Sequence, residues 1–183
     1  MGEDPDSPRL ALTASRVAAA FAEFTSARCE DPADLLAGAL PSADDSGELV
    51  LMTGIAFRSL CEHHLLPFRG VAHVAYRPDG RLAGLAAIAR VVTAVAARLQ
   101  LQERMGVEIV DAIDRGLSPR GVFVAITARH GCVRDRVIEQ RETELTTFAS
   151  SGELSDPARR SECIAMISPS LEKESSSWNF SRS

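Results

Sequence analysis

The order of elements predicts an α+β domain: an antiparallel β-sheet with two helices packed on one face, preceded by an N-terminal helix. Three observations carry this expectation. Residues 85–99 and 103–117 both place apolar side chains at helical spacing, through Ile88, Val92, Val95 and Leu99 and then Met105, Ile109, Ile113 and Leu117. Residues 121–130 are rich in β-branched side chains, as a buried strand is. The 183 residues, 45% hydrophobic and 25% charged, suffice for one domain with its own core.

Taken in order, residues 1–9 are acidic and Pro-containing, and are expected to be flexible. Thr13 is placed to cap a helix running to about Arg28, with Val17, Phe21 and Phe24 as its apolar stripe. Residues 30–47 carry two prolines and several Asp, so a helical turn at Ala33–Ala37 followed by loop is expected. Strand character runs from about Glu48 to Leu60, broken at Gly54. A second strand, Gly70–Tyr76, ends at the turn signal Arg77-Pro78-Asp79-Gly80. The two long helices follow, and Pro119 and Gly121 end the second. A strand near 143–149 is expected to pair antiparallel with 121–130, and residues 157–167 to form a short closing helix. The Ser-rich stretch 168–183 reads as a flexible tail, although it holds Trp178 and Phe180. The folded unit is therefore expected over 10–167.

A net charge of −5 argues against nucleic acid as a main partner. No apolar run reaches membrane-spanning length, and residues 1–6 lack the basic start and apolar middle of a signal peptide. A cytoplasmic protein with no membrane partner is the expectation. In a reducing compartment, Cys grouped with His indicates metal or catalysis rather than disulfides. Cys29 and Cys163 have no His nearby and read as small packing residues.

The chemistry concentrates in Cys61-Glu62-His63-His64 and His130-Gly131-Cys132, which hold three of the four histidines and two of the four cysteines. Cys61 and His64 are three apart, so one turn can aim both at one ion. His130 and Cys132 are two apart on the expected strand and would share a face. Zinc takes thiolate and imidazole ligands, and catalytic sites keep one position for water. Cys61, His64 and Cys132 make such a set, with His63 and His130 beside it as proton carriers. A closed structural site, with His63 or His130 as fourth ligand, is the alternative.

The string Phe57-Arg58-Ser59-Leu60-Cys61-Glu62-His63-His64-Leu65-Leu66-Pro67-Phe68 closely resembles the zinc motif of the GTP cyclohydrolase I family. The resemblance continues through Gly70–Tyr76, Arg98-Leu99-Gln100-Leu101-Gln102-Glu103-Arg104, Pro119-Arg120-Gly121-Val122 and His130-Gly131-Cys132, over roughly residues 10–167. It implies the tunnelling fold, rings of five subunits stacked in pairs as a homodecamer, and active sites between subunits. It also implies Zn2+ on Cys61, His64 and Cys132, and opening of the imidazole ring of GTP with release of formate and formation of 7,8-dihydroneopterin triphosphate. By the same resemblance His63 and His130 move protons, Glu103 grips the guanine edge with Gln102 beside it, and Arg90 and Arg136 bind phosphate.

Two stretches depart from the family. Where it carries Gly-Leu-Ser-Lys, with Ser and Lys on the triphosphate, this chain reads Gly84-Leu85-Ala86-Ala87. After the second zinc Cys the chain reads Val133-Arg134-Asp135-Arg136-Val137, keeping the Arg but losing the following Gly. Two alternatives follow: ring opening on a less phosphorylated guanine nucleoside or nucleotide, or a non-catalytic purine- or pterin-binding protein.

Overall fold

A computed structural model describes residues 2–4, 6–27, 31–41 and 48–177, without the side chains of 171–177. Helix α1 spans Thr13–Phe24, and a 3-10 turn spans Pro32–Leu36. Strands follow at β1 (Leu40–Pro41), β2 (Val50–Cys61), β3 (Pro67–Arg77) and β4 (Arg81–Leu82). Then come α2 (Leu85–Ala96), β5 (Leu99–Gln100), α3 (Gln102–Leu117), β6 (Gly121–His130), the single turn α4 (Gly131–Arg134), β7 (Leu145–Gly152) and α5 (Pro157–Ser177).

One sheet has the order β5-β2-β3-β6-β7, antiparallel throughout except for the parallel β5–β2 pairing. The break expected at Gly54 is a β-bulge: the β2–β3 register shifts between Met52 and Ile55, and Gly54 takes φ +72°, which a side chain would oppose. Long strands pair here because their apolar residues face cover on both sides. On one face Phe57, Phe68, Ala72, Val74, Val124 and Ile126 pack with Ile88, Val92, Val95, Met105, Ile109 and Ile113 of α2 and α3. The expected faces of the two helices are thus the buried ones, with one exception. Helix α2 ends at Ala96, so Leu99 lies in β5 and is 42% exposed.

Helix α5 covers the other face, where Leu154, Cys163 and Ile167 pack on Ala75, Phe123 and Ala125. It continues past the expected end at residue 167, through Pro169, to Ser177. Cys163 is the packing residue that its context suggested, and burial raises its thiol pKa. Thr13 is not a cap: it is the first helical residue, Leu12 is the N-cap, and no side chain caps that end. Helix α1 buries none of its residues. Arg28, Cys29, Trp178 and Phe180 lie outside the described residues.

Candidate active site

The tetrapeptide Cys61-Glu62-His63-His64 forms the connection between β2 and β3. Cys61 closes this turn from both ends: its N–H donates to the Leu66 carbonyl at 2.9 Å, and its carbonyl accepts from the Leu65 N–H at 2.8 Å. Leu65 is held at φ +52°, a left-handed conformation that costs a branched side chain energy and is found where surrounding structure over-determines it. Strand β3 then places the second half of the site. It pairs Pro67 with Leu60 of β2 and Phe68 with His130 of β6, so the ends of β2 and β6 lie either side of its start.

The strand β6 stops at His130, and Cys132 sits in α4, so these two do not share a strand face as the spacing suggested. The one-turn helix nevertheless carries Cys132 back toward β2. One ligand atom from each of Cys61, His64 and Cys132 lies within 4.8 Å of the others. Cys61 Sγ is 3.8 Å from His64 Nδ1. Burial, and after it the neighbouring Cys61, pushes the Cys132 thiol pKa up. Two thiols and an imidazole so grouped fit Zn2+: the crowding that disfavours ionised sulfur in the free protein is offset by a dication.

This triad opens into a cleft of about 610 Å3, which His63, Gln102, Glu103 and His130 also line. His63 is exposed next to the triad, its ring 6.2 Å from that of His64. His130 stacks on Phe68, ring centroids 4.5 Å apart and within 5° of parallel. Burial lowers the pKa of His130, opposed in part by the Glu103 carboxylate. Glu103 stands in the first turn of α3 with its side chain exposed in the single chain. Arg136 is exposed and close enough to Cys132 to favour its thiolate. Arg90 is exposed on α2 and does not line the cleft, so one chain does not bring it to the other candidates. Gln102 is buried, and its amide nitrogen contacts the Ile126 and Leu145 carbonyls at 2.9 Å and Thr147 Oγ1 at 3.2 Å. A second groove of similar size, between α1, α2 and the β2–β3 face, contains none of the ligating residues.

The residue types alone did not single out Gln100 and Arg104. Arg104 donates to Glu62 Oε2 at 2.6 Å, to the Leu99 carbonyl at 2.8 Å and to Gln100 Oε1 at 3.2 Å. Gln100 in turn donates to the Val95 carbonyl and to Glu108 Oε2. Glu62 thus ties the turn that carries Cys61 and His64 to the start of α3. The signal was present in the Gln-Leu-Gln-Glu-Arg string: Gln100 and Arg104 are four apart and meet through this network, while Gln102 and Glu103 line the cleft.

Fold and cleft together define a class, an α+β enzyme with a metal-competent Cys–His–Cys triad. The chain belongs to the GTP cyclohydrolase I family, whose model matches residues 1–168. It is 46% identical over 167 residues to GTP cyclohydrolase 1 of Leifsonia xyli subsp. xyli, covering 91% of this chain and 87% of that one. It is 45% identical over 168 residues to GTP cyclohydrolase 1 of Chlorobaculum tepidum (91% and 75% covered). It is 41% identical over 169 residues to that of Streptomyces griseus subsp. griseus (91% and 83%). Membership makes it a hydrolase. Two solved structures overlap it more loosely. The archaeosine synthase QueF-Like in the apo form has TM-score 0.49 and 19% identity, over 61% of this chain and 97% of that one. Escherichia coli dihydroneopterin aldolase in complex with neopterin has TM-score 0.47 and 16% identity, over 57% and 99%. The assignment rests on the sequence matches.

Proposed function

We propose that this chain opens the imidazole ring of GTP, releases carbon 8 as formate, and closes the product to 7,8-dihydroneopterin triphosphate. The observation that carries the reading is the approach of Cys61, His64 and Cys132 within 4.8 Å in a cleft that also holds two further histidines and a carboxylate. Cys61, His64 and Cys132 would hold Zn2+, which supplies the Lewis acidity that lets water attack carbon 8 near neutral pH.

The remaining steps belong to the chain's own groups. His63 and His130, beside the triad, take and return protons as the ring opens and the ribose rearranges. The Glu103 carboxylate accepts from adjacent donors on the guanine edge, a charge-assisted contact that selects the base. Arg136 binds phosphate at the α4 end. Arg90, remote from the cleft within one chain, would serve a site completed by a neighbouring copy in a homodecamer.

A second reading is favoured by Leu85-Ala86-Ala87 at the start of α2, which offers methyl groups where the family motif would place a hydroxyl and an ammonium. A hydrogen bond to a charged group contributes about 1.5–3 kcal/mol, so losing one such contact weakens phosphate binding about 10–100-fold. The substrate would then be a guanine nucleoside or nucleotide with fewer phosphates. Turnover of GTP, GMP and guanosine, followed by formate release and pterin fluorescence, separates the two. Preference for GTP with full pterin yield supports the first reading and sinks the second. Preference for GMP or guanosine does the reverse.

A further inference from the structure

We infer that Gln102 is a positioning residue that fixes the proton of His130 on Nε2, leaving Nδ1 as the nitrogen that exchanges protons in the cleft. The inference deepens the functional reading above and rests on it for the role of His130. It gives Gln102 a different part from the one the family resemblance implies, beside Glu103 at the guanine edge.

The orientation of the Gln102 amide follows from its partners. One end of the amide faces the main-chain carbonyls of Ile126 and Leu145, each at 2.9 Å. Carbonyl oxygens only accept, so this end is the NH2 group, and its two hydrogens match the two carbonyls. The Thr147 hydroxyl, 3.2 Å away, is a third neighbour on the same side. The other end is therefore the oxygen, and it lies 2.8 Å from His130 Nε2. An amide oxygen cannot donate, so Nε2 must carry the hydrogen. Gln102 is 1% exposed, which makes reversal of the amide costly: it would set NH2 against the ring and the oxygen against two carbonyls.

The ring is restrained in two directions. Its face lies on Phe68 at 4.5 Å, and its Nε2 edge is held by Gln102, whose own anchors are the backbones of β6 and β7. With Nε2 donating throughout, a proton arriving from substrate or water can bind only at Nδ1, giving the imidazolium, and the same nitrogen returns it. The hydrogen bond to Gln102 persists through both states, so the ring need not turn over between uptake and release. A second imidazole in the cleft, His63, is exposed, with the Glu62 carboxylate 3.9 Å from its Nε2, so the two histidines differ in burial and in partner.

The test uses zinc-loaded protein labelled with 15N in histidine alone. The chain has four histidines, and His130→Asn identifies the resonance. The wild type is expected to show a pyrrole-type Nε2 bearing a proton protected from solvent exchange, with a pyridine-type Nδ1. In Gln102→Met that protection is lost. For GTP turnover, kcat is expected to fall about 10–100-fold, with KM within about twofold. A neutral ring with its hydrogen on Nδ1 and none on Nε2 in the wild type overturns the proposal, and that measurement needs no variant should Gln102→Met fail to fold. Unchanged Nε2–H protection in Gln102→Met also overturns it, as does a raised KM with kcat intact, the signature of direct substrate contact. Absence of GTP turnover by the wild type would instead defeat the functional reading and leave the tautomer result standing.

Discussion

Glu62 acts on the site through Arg104, and their 2.6 Å contact shows how little of a candidate centre consists of its ligands. The ligand turn is flanked by a strained Leu65 and fixed to α3 by this one ion pair, backed by Gln100 and the Leu99 carbonyl. Partners of this kind hold ligands in the geometry that a metal requires. Replacing Arg104 by Met is expected to weaken zinc retention about 10–100-fold, measured by competition with a chelator. Retention equal to the wild type would show that the turn stands without it. Glu103→Gln is expected to leave zinc content unchanged while lowering kcat/KM for GTP at least about tenfold, since charge-assisted hydrogen bonds to a base edge are the strong ones. The pairing of Cys61 with His64 was legible because two ligand-type residues stand one turn apart, whereas Cys132 was marked by residue type and by the family resemblance, since it lies in α4 and not on the strand face that its spacing suggested. The parts played by Glu62 and Gln102 were not legible, since their partners lie 42 residues away for Arg104 and 24 and 43 away for Ile126 and Leu145.

At the scale of elements, β3 is the piece that unites the two halves of the site, and its contact with β6 depends on Gly70. A Cβ there would come within 2.1 Å of the Thr127 carbonyl oxygen and 2.7 Å of Ala128. These neighbours are the β6 backbone and the Ala128 Cβ, none of them the end of a flexible side chain that could yield. Gly70→Ala is expected to destabilise the protein by about 1–3 kcal/mol or more in denaturant titration, with loss of zinc retention in the same variant. Stability unchanged by the methyl group would mean that β3 and β6 can separate freely. The 3-10 turn at Pro32–Leu36 is tied to α3 by Asp31, whose carboxylate accepts from both Arg115 amino groups at 2.8 and 2.9 Å. The Arg115 hydrogen bonds, then the Ala33 N–H, lower its pKa to about 2 from 3.8. A depressed carboxylate pKa contributes stability above the unfolded value and loses it as pH falls through the folded one. The wild type is therefore expected to exceed Asp31→Asn in stability at pH 6 and to converge with it between about pH 4 and pH 2. A difference at pH 2 as large as that at pH 6 would assign the effect to something other than ionisation. The helices α2 and α3 were readable because burial on one side imposes the 3.6-residue period. The apolar spacing runs on to Leu99, past the true end of α2, although the chain has already turned into β5 there. The reach of α5 was not legible, since Pro169 normally ends a helix, and its docking on the second face depends on tertiary contacts with β3 and β6.

For the whole molecule, the single chain leaves surfaces that ask for company. Helix α1 buries nothing and leaves Val17 48% exposed. Strand β7 ends the sheet with Leu145 and Phe148 over a third exposed, and an open edge of that kind pairs readily with another chain. Together with the place of Arg90 on α2, outside the cleft lining, these features support the proposed homodecamer, for which sedimentation is expected to give about 196 kDa, ten times the 19.6 kDa chain. A species of one chain that turns over GTP at the full rate would contradict a shared site. The fold at this scale was legible from element order, whereas a second copy leaves no trace in periodicity beyond apolar positions with nothing to cover them. The proposed chemistry depends on the triad, so the most direct measurement is formate release from GTP during zinc titration of metal-stripped protein. Release is expected to start near zero and to rise in proportion to zinc until each chain holds one ion, with Cys132→Ser flat throughout. Full release from stripped protein, or none after each chain has taken up its zinc, would contradict it.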